Sequence, residues 1–393
     1  MARRSSTRTR AKRAVRRAAK TKEGRVAILV VVLLILAVLA LDYFGVINIG
    51  IFHKEEPTPD PKPNPPIVVS DSDFQIHFIE LDSYYAGDSI YIRVDNVDIL
   101  IDAGPKTSTV STISKYLNTY MKDDVLDYVI VTHAHEDHYA GFATPENTDS
   151  LFDLYNVANI IDFSMTNQST GKMYQNYLRE RADEIAKGAK HMTAGECVQQ
   201  GKNEIWLNED VKMTILDSYY YYNKASSEND YSVCLLFSQG ANHYLFTGDL
   251  EAEGEEHLVE MNNLPEVTLY KAGHHGSKTS SSYALMRVIK PEIVVFTCTA
   301  FSPEYTSNNS NTFPTQEVIS RIAPYTDRVY VTSVYVPDPT GKNDEGHAPL
   351  NGHIVISDDG ETVTVQCSYS DTLLKDTTYF AEYRTMPPAW RKS

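Results

Sequence analysis

The chain has 393 residues and a formal net charge of −16, which divides sharply between a basic N-terminus and an acidic remainder. Residues 1–25 carry eleven basic side chains and one acid, so they contribute +10 and the rest contributes −26. An acidic body disfavours a nucleic-acid binder with a basic groove, because phosphate neutralisation supplies much of the affinity of such proteins. With 42% apolar and 22% charged residues the chain is able to bury a full core, which excludes disorder of the whole.

An apolar run without charges follows the basic tip at residues 26–41, and mostly apolar sequence continues to residue 52. Extended to residue 47, this run approaches the length that a helix needs to cross the roughly 30 Å bilayer core. We predict a basic cytoplasmic tip at 1–25 and a single transmembrane signal anchor at 26–47, because basic residues stay on the cytoplasmic side. A cleaved signal peptide and a buried core helix are the alternatives.

Residues 48–72 are predicted to form a linker, since six of the ten residues 57–66 are prolines. Such a segment forms an extended polyproline rod and acts as a spacer. We therefore expect a cell-membrane protein whose main domain, 73–365, lies outside the cell. Residues 366–393 are rich in tyrosine and are expected to form a C-terminal surface extension.

From residue 74 onward, short apolar strand patterns alternate with helical patterns. Two β-rich halves with helices outside predict an α/β sandwich of four layers. The predicted strands are 74–81, 89–94, 98–101, 128–131, 159–161, 212–216, 232–237, 243–247, 267–271, 293–297, 329–332 and 353–357. The predicted helices are 108–118, 171–188, 251–261, 281–290 and 315–322. Cys234 and Cys298 lie in apolar strands and are predicted to be buried thiols.

Three histidines and an aspartate follow the strand at 128–131 in the pattern HxHxDH, as His133, His135, Asp137 and His138. Alternate residues at a strand end point the same way, so His133 and His135 are able to share one cation. Asp137 and His138, where the chain turns toward a helix, face a second position. Imidazole and carboxylate are the ligand types that suit Zn, Mn or Fe.

Four further motifs occur in order: AGDSI at 86–90, ILIDAG at 99–104, TGD at 247–249 and GHHGS at 273–277. Together with HxHxDH they make the chain resemble the metallo-β-lactamase superfamily, and within it the stand-alone relatives of the hydrolase domain of the DNA-uptake protein ComEC. The resemblance covers residues 74–357. It implies the αββα four-layer sandwich of that superfamily and a hydrolase that uses divalent metal.

The resemblance also implies roles for residues in the later motifs. Asp249 is expected to bridge two metals, with the N-cap of the following helix as its alternative role. His275 is expected to bind the second metal and His274 to protonate the leaving oxygen, although the order of this pair stays open. Asp102 is expected to orient a ligand histidine rather than to touch metal. The predicted ligands of two divalent ions, Zn or Mn, are His133, His135, Asp137, His138, Asp249 and His275.

The chain departs from the family at two points. The wider superfamily supplies another histidine to the first metal from the region before TGD, where this chain has none, so water, Asn229 or Asp230 would complete that site, or a single metal would suffice. The ComEC-type segment N-x-x-G-H-P appears here with Phe313 and Pro314 at its end. Phe313 replaces a polar group expected at the rim, which counts against nuclease activity, as does the acidic body.

These residues predict hydrolysis by a metal-bound hydroxide, with Asp137 or Asp249 orienting the nucleophile and His274 as the acid. An extracellular substrate containing a phosphodiester is favoured, because a pair of cations suits in-line displacement at phosphorus. The alternatives are a ComEC-like extracellular nuclease linked to DNA uptake, for which the acidic body is unfavourable, and a non-catalytic cell-wall scaffold.

Overall fold

The computed structural model describes residues 74–337 and 345–391, together with residues 21–23, 25, 26, 29, 30, 37 and 38. The predicted basic tip, transmembrane anchor and linker therefore lie for the most part outside the described residues. Of the helices that are described, none is both long enough and apolar enough to cross a membrane.

The first of two mixed sheets has eight strands. They are β1 (Phe74–Phe78), β2 (Ile90–Val94), β3 (Val97–Ile101), β4 (Val125–Val131), β5 (Asn156–Asp162), β6 (Lys190–Thr193), β15 (Ile354–Asp358) and β16 (Val363–Cys367). Their order across the sheet is β16-β15-β1-β2-β3-β4-β5-β6. Strands β3 to β6 run parallel to one another, and the remaining pairs are antiparallel.

The second sheet also has eight strands and a similar division into parallel and antiparallel pairs. They are β7 (Glu204–Trp206), β8 (Val211–Ile215), β9 (Leu235–Gln239), β10 (Asn242–Phe246), β11 (Leu269–Lys271), β12 (Ile293–Ala300), β13 (Val329–Tyr335) and β14 (His347–Pro349). Their order is β14-β13-β12-β11-β10-β9-β8-β7, with β10 to β13 parallel.

Nine α-helices join these strands in the described part of the chain from Phe74 onward. They are α1 (Val110–Tyr120), α2 (Glu136–Tyr139), α3 (Leu151–Leu154), α4 (Lys172–Lys187), α5 (Ala194–Gln199), α6 (Ala252–Met261), α7 (Tyr283–Ile289), α8 (Gln316–Ile322) and α9 (Thr378–Tyr383). Helices α6, α7 and α8 pack through apolar residues on the outer face of the second sheet. Aromatic pairs such as Phe78 and Phe246, with ring centres 6.3 Å apart, join the inner faces of the two sheets.

The predicted α/β sandwich built on two sheets is confirmed, and each predicted strand and helix overlaps an observed one. Four strands, β6, β7, β14 and β16, were not predicted, and they are the four edge strands of the two sheets. An edge strand is paired on one side only, so it tolerates polar residues and lacks a continuous apolar run. The segments KHMT and HAP show this, since none of their residues is fully buried.

The residues after Val365 are not the surface extension expected from the sequence. Phe380 and Trp390 are buried in the core of the second sheet, and Trp390 Nε1 donates to the carbonyl oxygen of Thr326 at 2.7 Å. The sequence did not predict this packing, because the segment is mostly polar and rich in tyrosine and only a few widely spaced apolar residues are buried. All four cysteines are buried and free, as predicted for Cys234 and Cys298.

Candidate metal centre

His133 and His135 leave the end of β4 side by side. His133 follows the strand after one residue, and His135 is the N-cap of the short helix α2. Nε2 of His133 lies 3.1 Å from Nδ1 of His135. Two imidazole nitrogens that bind one zinc ion tetrahedrally stand roughly 3.3 Å apart, so this spacing suits two ligands of the same cation.

Asp102, directly after β3, sets the orientation of His138. Its carboxylate accepts hydrogen bonds from N of Thr132 at 2.8 Å and from Oγ1 of Thr132 at 2.7 Å. Its Oδ2 also lies 2.7 Å from Nδ1 of His138, and all three residues are buried. A carboxylate that accepts the Nδ1 proton leaves Nε2 as the atom that is able to bind metal. This contact is in keeping with the orienting role that the sequence predicts for Asp102.

Four side chains from three separate parts of the chain converge on one point. Asp137, His138, Asp249 and His275 each offer a ligand atom, and these atoms all lie within 4.8 Å of one another. Oδ2 of Asp249 lies 3.2 Å from Nε2 of His138 and 3.4 Å from Nε2 of His275. Oδ2 of Asp137 lies 3.3 Å from Nε2 of His275. The four residues meet because each follows the end of a strand, and those strand ends face the same cleft.

The donor set of this cluster fits a divalent metal ion. Among the described residues, Nε2 of His138, Nε2 of His275 and Oδ1 of Asp249 are buried and have no hydrogen-bond partner. Buried polar atoms are seldom left unpartnered in a protein. Imidazole nitrogens and carboxylate oxygens are also the ligands that zinc and manganese take. A cation at this point would therefore take the place of hydrogen bonds that these buried atoms do not make.

Carboxylates dominate the electrostatics of the cluster. Burial favours the neutral imidazole, but Asp249 and Asp102 raise the pKa of His138 well above its usual value, and Asp249 and Asp88 do the same for His275. Burial lowers the pKa of His133 well below its usual value, so His133 is neutral, as a metal ligand must be. The excess negative charge around His138 and His275 attracts a cation.

The two histidines of the GHHGS turn both approach Asp249 but differ in burial. Both have left-handed backbone conformations, with φ of 48° at His274 and 54° at His275. Nδ1 of His275 donates to the carbonyl oxygen of Thr297 at 2.9 Å, which aims Nε2 at the cluster. His274 lies at the rim with 22% of its side chain exposed, and its Nε2 is 3.8 Å from Oδ2 of Asp249. Burial lowers the pKa of His274.

Asp249 does not cap the following helix, so the N-cap alternative is wrong. Helix α6 begins at Ala252, and Glu251 occupies the N-cap position. The backbone N of Asp249 donates to Oγ of Ser232 at 3.0 Å, and its side chain is directed into the cluster. The arrangement is compatible with the bridging position expected from the sequence.

The first metal position, at His133 and His135, has two candidates for a further protein ligand. Oδ1 of Asp230 accepts from N of Glu251 at 3.1 Å and is thus directed at the start of α6. Nδ2 of Asn229 lies 3.1 Å from Oε1 of Glu251, while Oδ1 of Asn229 is buried and unpartnered within the described residues. Of the two, Asn229 is the one with a side-chain oxygen that makes no hydrogen bond in the described part of the chain.

A buried lysine, Lys271, lies at the centre and was not predicted from the sequence. Nζ of Lys271 lies 2.5 Å from Oδ2 of Asp88 and 3.7 Å from Oδ1 of Asp249, and it donates to the carbonyl oxygen of Gly248 at 3.3 Å. Its side chain is 1% exposed. A lysine within an apolar strand, immediately before the GHHGS motif, is the signal that could have identified it.

Beside the cluster opens a cavity of about 450 Å³. This volume is large enough for a small organic ligand. Two tyrosines and one lysine give it a mixed aromatic and cationic wall: Nζ of Lys106 lies 4.1 Å from the ring centre of Tyr85, and the hydroxyl of Tyr305 donates to Oδ2 of Asp137 at 3.4 Å. The lining residues are Tyr85, Pro105, Lys106, His135, Glu136, Asp137, His274, Glu304 and Tyr305.

Comparison with known proteins gives matches to competence proteins. The chain is 25% identical over 238 residues to "Recombination protein 2" of Haemophilus influenzae, which covers 60% of this chain and 25% of that protein. It is 28% identical over 211 residues to "Competence protein ComA" of Neisseria gonorrhoeae, which covers 53% of this chain and 25% of that protein. The chain thus spans about a quarter of the length of these relatives. The matches confirm the predicted resemblance to competence proteins of the ComEC type.

Two further matches concern a family model and a solved structure. The family model described as "Anti-Pycsar protein Apyc1" matches residues 81–269, a little under half of the chain. The metallo-β-lactamase fold protein YhfI from Bacillus subtilis aligns with 66% of this chain and 96% of its own length, at 11% identity and a TM-score of 0.40.

Proposed function

Because the chain is similar to competence proteins of the ComEC type and gathers a buried His and Asp cluster beside an open cavity, we propose that it is a metal-dependent hydrolase. The unpartnered ligand atoms of His138, Asp249 and His275 are the observation that carries this proposal. Two divalent cations, Zn or Mn, held by the cluster and by the His133 and His135 pair would lower the pKa of a water and neutralise charge on a substrate oxygen.

The protein's own residues would orient the reactants. Asp137 is 20% exposed and faces the cavity, so its carboxylate, or that of Asp249, is placed to accept a hydrogen bond from the attacking water. His274 lies at the rim between the cluster and the cavity, where it is placed to give a proton to the leaving oxygen. Lys106 also lines the cavity, where its positive charge favours an anionic substrate.

A phosphodiester is the substrate class that we propose, since paired cations and a nearby lysine suit a negatively charged phosphoryl group. We also propose that residues 26–47 anchor the protein in the membrane with the domain outside the cell, on the basis of the basic tip and apolar run alone. An extracellular location would favour phosphodiesters of cell-wall polymers.

A ComEC-like nuclease is the second candidate, and the sequence similarity to competence proteins favours it. The formal charge of −26 on the residues after the basic tip counts against it. A polynucleotide backbone would meet this negative charge over several phosphates. A non-catalytic scaffold is the third candidate.

Elemental analysis of the purified protein, followed by assays on bis-p-nitrophenyl phosphate, p-nitrophenyl phosphorylcholine and DNA, separates the three candidates. We expect bound Zn or Mn and turnover of at least one small phosphodiester, with loss of turnover in His135→Ala. Acid-soluble products from DNA would favour the nuclease. Less than one metal per chain, with melting unchanged by a chelator, would reject the hydrolase and support a scaffold.

His274→Gln tests the assignment within the GHHGS pair. If His274 donates a proton, this variant keeps its metal and loses about 10²–10⁴-fold in turnover. Lys106→Met tests the role of the lysine that lines the cavity. It should raise KM for an anionic phosphodiester with little change in kcat.

A further inference from the structure

Arg384, in the segment after Val365, is buried beneath the loop 309–314. All five of its N–H donors are used, and each goes to a neutral oxygen. Nε donates to the carbonyl oxygen of Pro314 at 2.8 Å, and Nη1 donates to those of Asn309 at 3.0 Å and Tyr383 at 2.7 Å. Nη2 donates to both the carbonyl oxygen and Oγ1 of Thr312, at 2.5 and 2.9 Å. One side chain thus holds three successive points of a single loop.

The loop that Arg384 holds forms part of the wall of the metal centre. The ring of Phe313 is stacked on that of His275, with centres 6.5 Å apart, and meets the ring of His274 edge-on at 5.8 Å. The backbone N of Thr315, just after the loop, donates to the carbonyl oxygen of Gly276 at 2.9 Å. The ring of Phe313 and the backbone of the residue after the loop, Thr315, therefore both contact the GHHGS turn.

Arg384 is itself held firmly by its neighbours. The ring of Tyr383 is stacked on that of Phe301 at 4.9 Å and 4°, and the guanidinium of Arg384 lies 5.0 Å from the Phe301 ring centre. The backbone N of Thr385 donates to Oε1 of Gln316 at 2.7 Å. The position of Arg384 thus follows from packing on both sides and does not depend on the loop alone.

We propose that Arg384 is a positioning residue for the metal centre, which acts through Phe313 to hold His275 and His274 in place. A buried guanidinium that contacts only neutral oxygens is costly unless every donor is used. Replacing it would leave the buried carbonyls of Thr312 and Pro314 unpartnered and would release the loop from the histidines. The inference rests on the proposed function, because it takes His275 to be a metal ligand.

Titration of the chelator-treated protein with Co²⁺ tests this proposal, since cobalt binding is read from its absorption spectrum without any substrate. We expect Arg384→Met to bind Co²⁺ about tenfold more weakly than the wild type, within the range seen when outer partners of metal ligands are removed. Arg384→Lys should recover part of the loss. Arg391→Met is the matched control, because Arg391 is exposed and donates to Met386 within the same segment.

A double-mutant cycle with Phe313→Leu shows whether Arg384 acts through the loop. We expect Phe313→Leu to weaken Co²⁺ binding and the added Arg384→Met to weaken it little further. If Arg384→Met does not fold, Thr312→Val removes the hydroxyl that accepts from Nη2 of Arg384 and donates to the carbonyl oxygen of Asn309, and it should weaken Co²⁺ binding about two- to threefold.

Three results would overturn the proposal. Unchanged Co²⁺ affinity in Arg384→Met or Thr312→Val, with a lower melting temperature, would make the role purely structural. Independent, multiplying losses from Arg384→Met and Phe313→Leu would show that Arg384 does not act through Phe313. A wild-type protein that binds no Co²⁺ would contradict the proposed function together with this inference, whereas the first two results leave the proposed function intact.

Discussion

Lys271 and Asp88 form a buried ion pair directly behind the metal centre, with Nζ and Oδ2 2.5 Å apart and each side chain at most 2% exposed. The pair joins β11 of the second sheet to the residues before β2 of the first. Asp88 also accepts a hydrogen bond from Oγ1 of Thr297 and lies 3.4 Å from Nδ1 of His275. The ion pair therefore ties the two sheets together at the point where the ligands meet.

We expect Lys271→Met to lower the free energy of unfolding by about 3–5 kcal/mol, because it leaves the Asp88 carboxylate buried without its cation. Lys271→Met combined with Asp88→Asn should recover part of this loss. Urea unfolding of the metal-free protein measures both. The matched control is Lys290→Met, since Nζ of Lys290 also lies 2.5 Å from a carboxylate, that of Glu266, but on the surface. Lys290→Met should lower the free energy of unfolding by less than about 1 kcal/mol. Equal decreases for Lys271→Met and Lys290→Met would contradict the prediction.

Asp102→Asn should weaken metal binding about 10- to 100-fold, because an amide no longer accepts the Nδ1 proton of His138 as strongly. Titration with Zn²⁺ against a competing chromophoric chelator measures the change. Asp127→Asn serves as the control, because the Asp127 carboxylate accepts from N of Asp98 in the same sheet, away from the cluster. Equal affinities of wild type and Asp102→Asn would show that Asp102 does not orient a ligand.

Gly276→Ala should destabilise the protein and disturb the GHHGS turn. Gly276 has φ of +92°, and an added Cβ would lie 2.7 Å from Cβ of Pro314 and 2.8 Å from Cδ1 of Phe296. Gly240→Ala is the control, because Gly240 has φ of +57° with no atom within 4 Å of an added Cβ. We expect Gly240→Ala to lower the free energy of unfolding by about 1 kcal/mol through backbone strain, and Gly276→Ala to lower it clearly more. Thermal unfolding compares the two, and a similar shift for both would argue against tight packing of Pro314 on the turn.

Protonation of His77 should make the protein less stable in acid. His77 is fully buried on β1 with Nδ1 2.8 Å from the hydroxyl of Tyr116, and burial lowers its pKa to about 3. Below about pH 6.5 the His77 imidazole is protonated in the unfolded chain, whereas in the folded protein it stays neutral down to about pH 3. The contribution of neutral His77 to the free energy of unfolding is therefore fully present above pH 6.5 and is lost as the pH falls toward 3. At pH 5 the free energy of unfolding should be lower by about 2 kcal/mol for this reason.

His77→Phe should accordingly lose less stability than the wild type between pH 7 and pH 5, as measured by urea unfolding of the metal-free protein. His257→Gln provides the control, because the His257 side chain on α6 is 30% exposed. It should follow the wild-type pH dependence. A His77→Phe variant with an unchanged drop between the two pH values would show that His77 is not the titrating group.

Much of the metal centre could be predicted from the sequence because its densest part is local. His133, His135, Asp137 and His138 lie within six residues after an apolar strand, so the strand end alone brings them together. The central strands of both sheets were predictable for a similar reason, since burial on both faces requires an unbroken apolar run. The edge strands lack this requirement, and polar segments such as KHMT at β6 left no pattern to detect.

The sequence by itself determined the type of sandwich, the order of its motifs and the local half of the ligand set, because strand periodicity and short spacings are properties of neighbouring residues. Only the tertiary structure decided that Lys271 faces Asp88, that His275 is buried beside Asp249 while His274 lies at the rim, and that Arg384 holds the loop of Phe313. These contacts join residues far apart in the chain. They depend on how the two sheets and the final segment pack together, and this packing cannot be predicted from composition or from the spacing of residues.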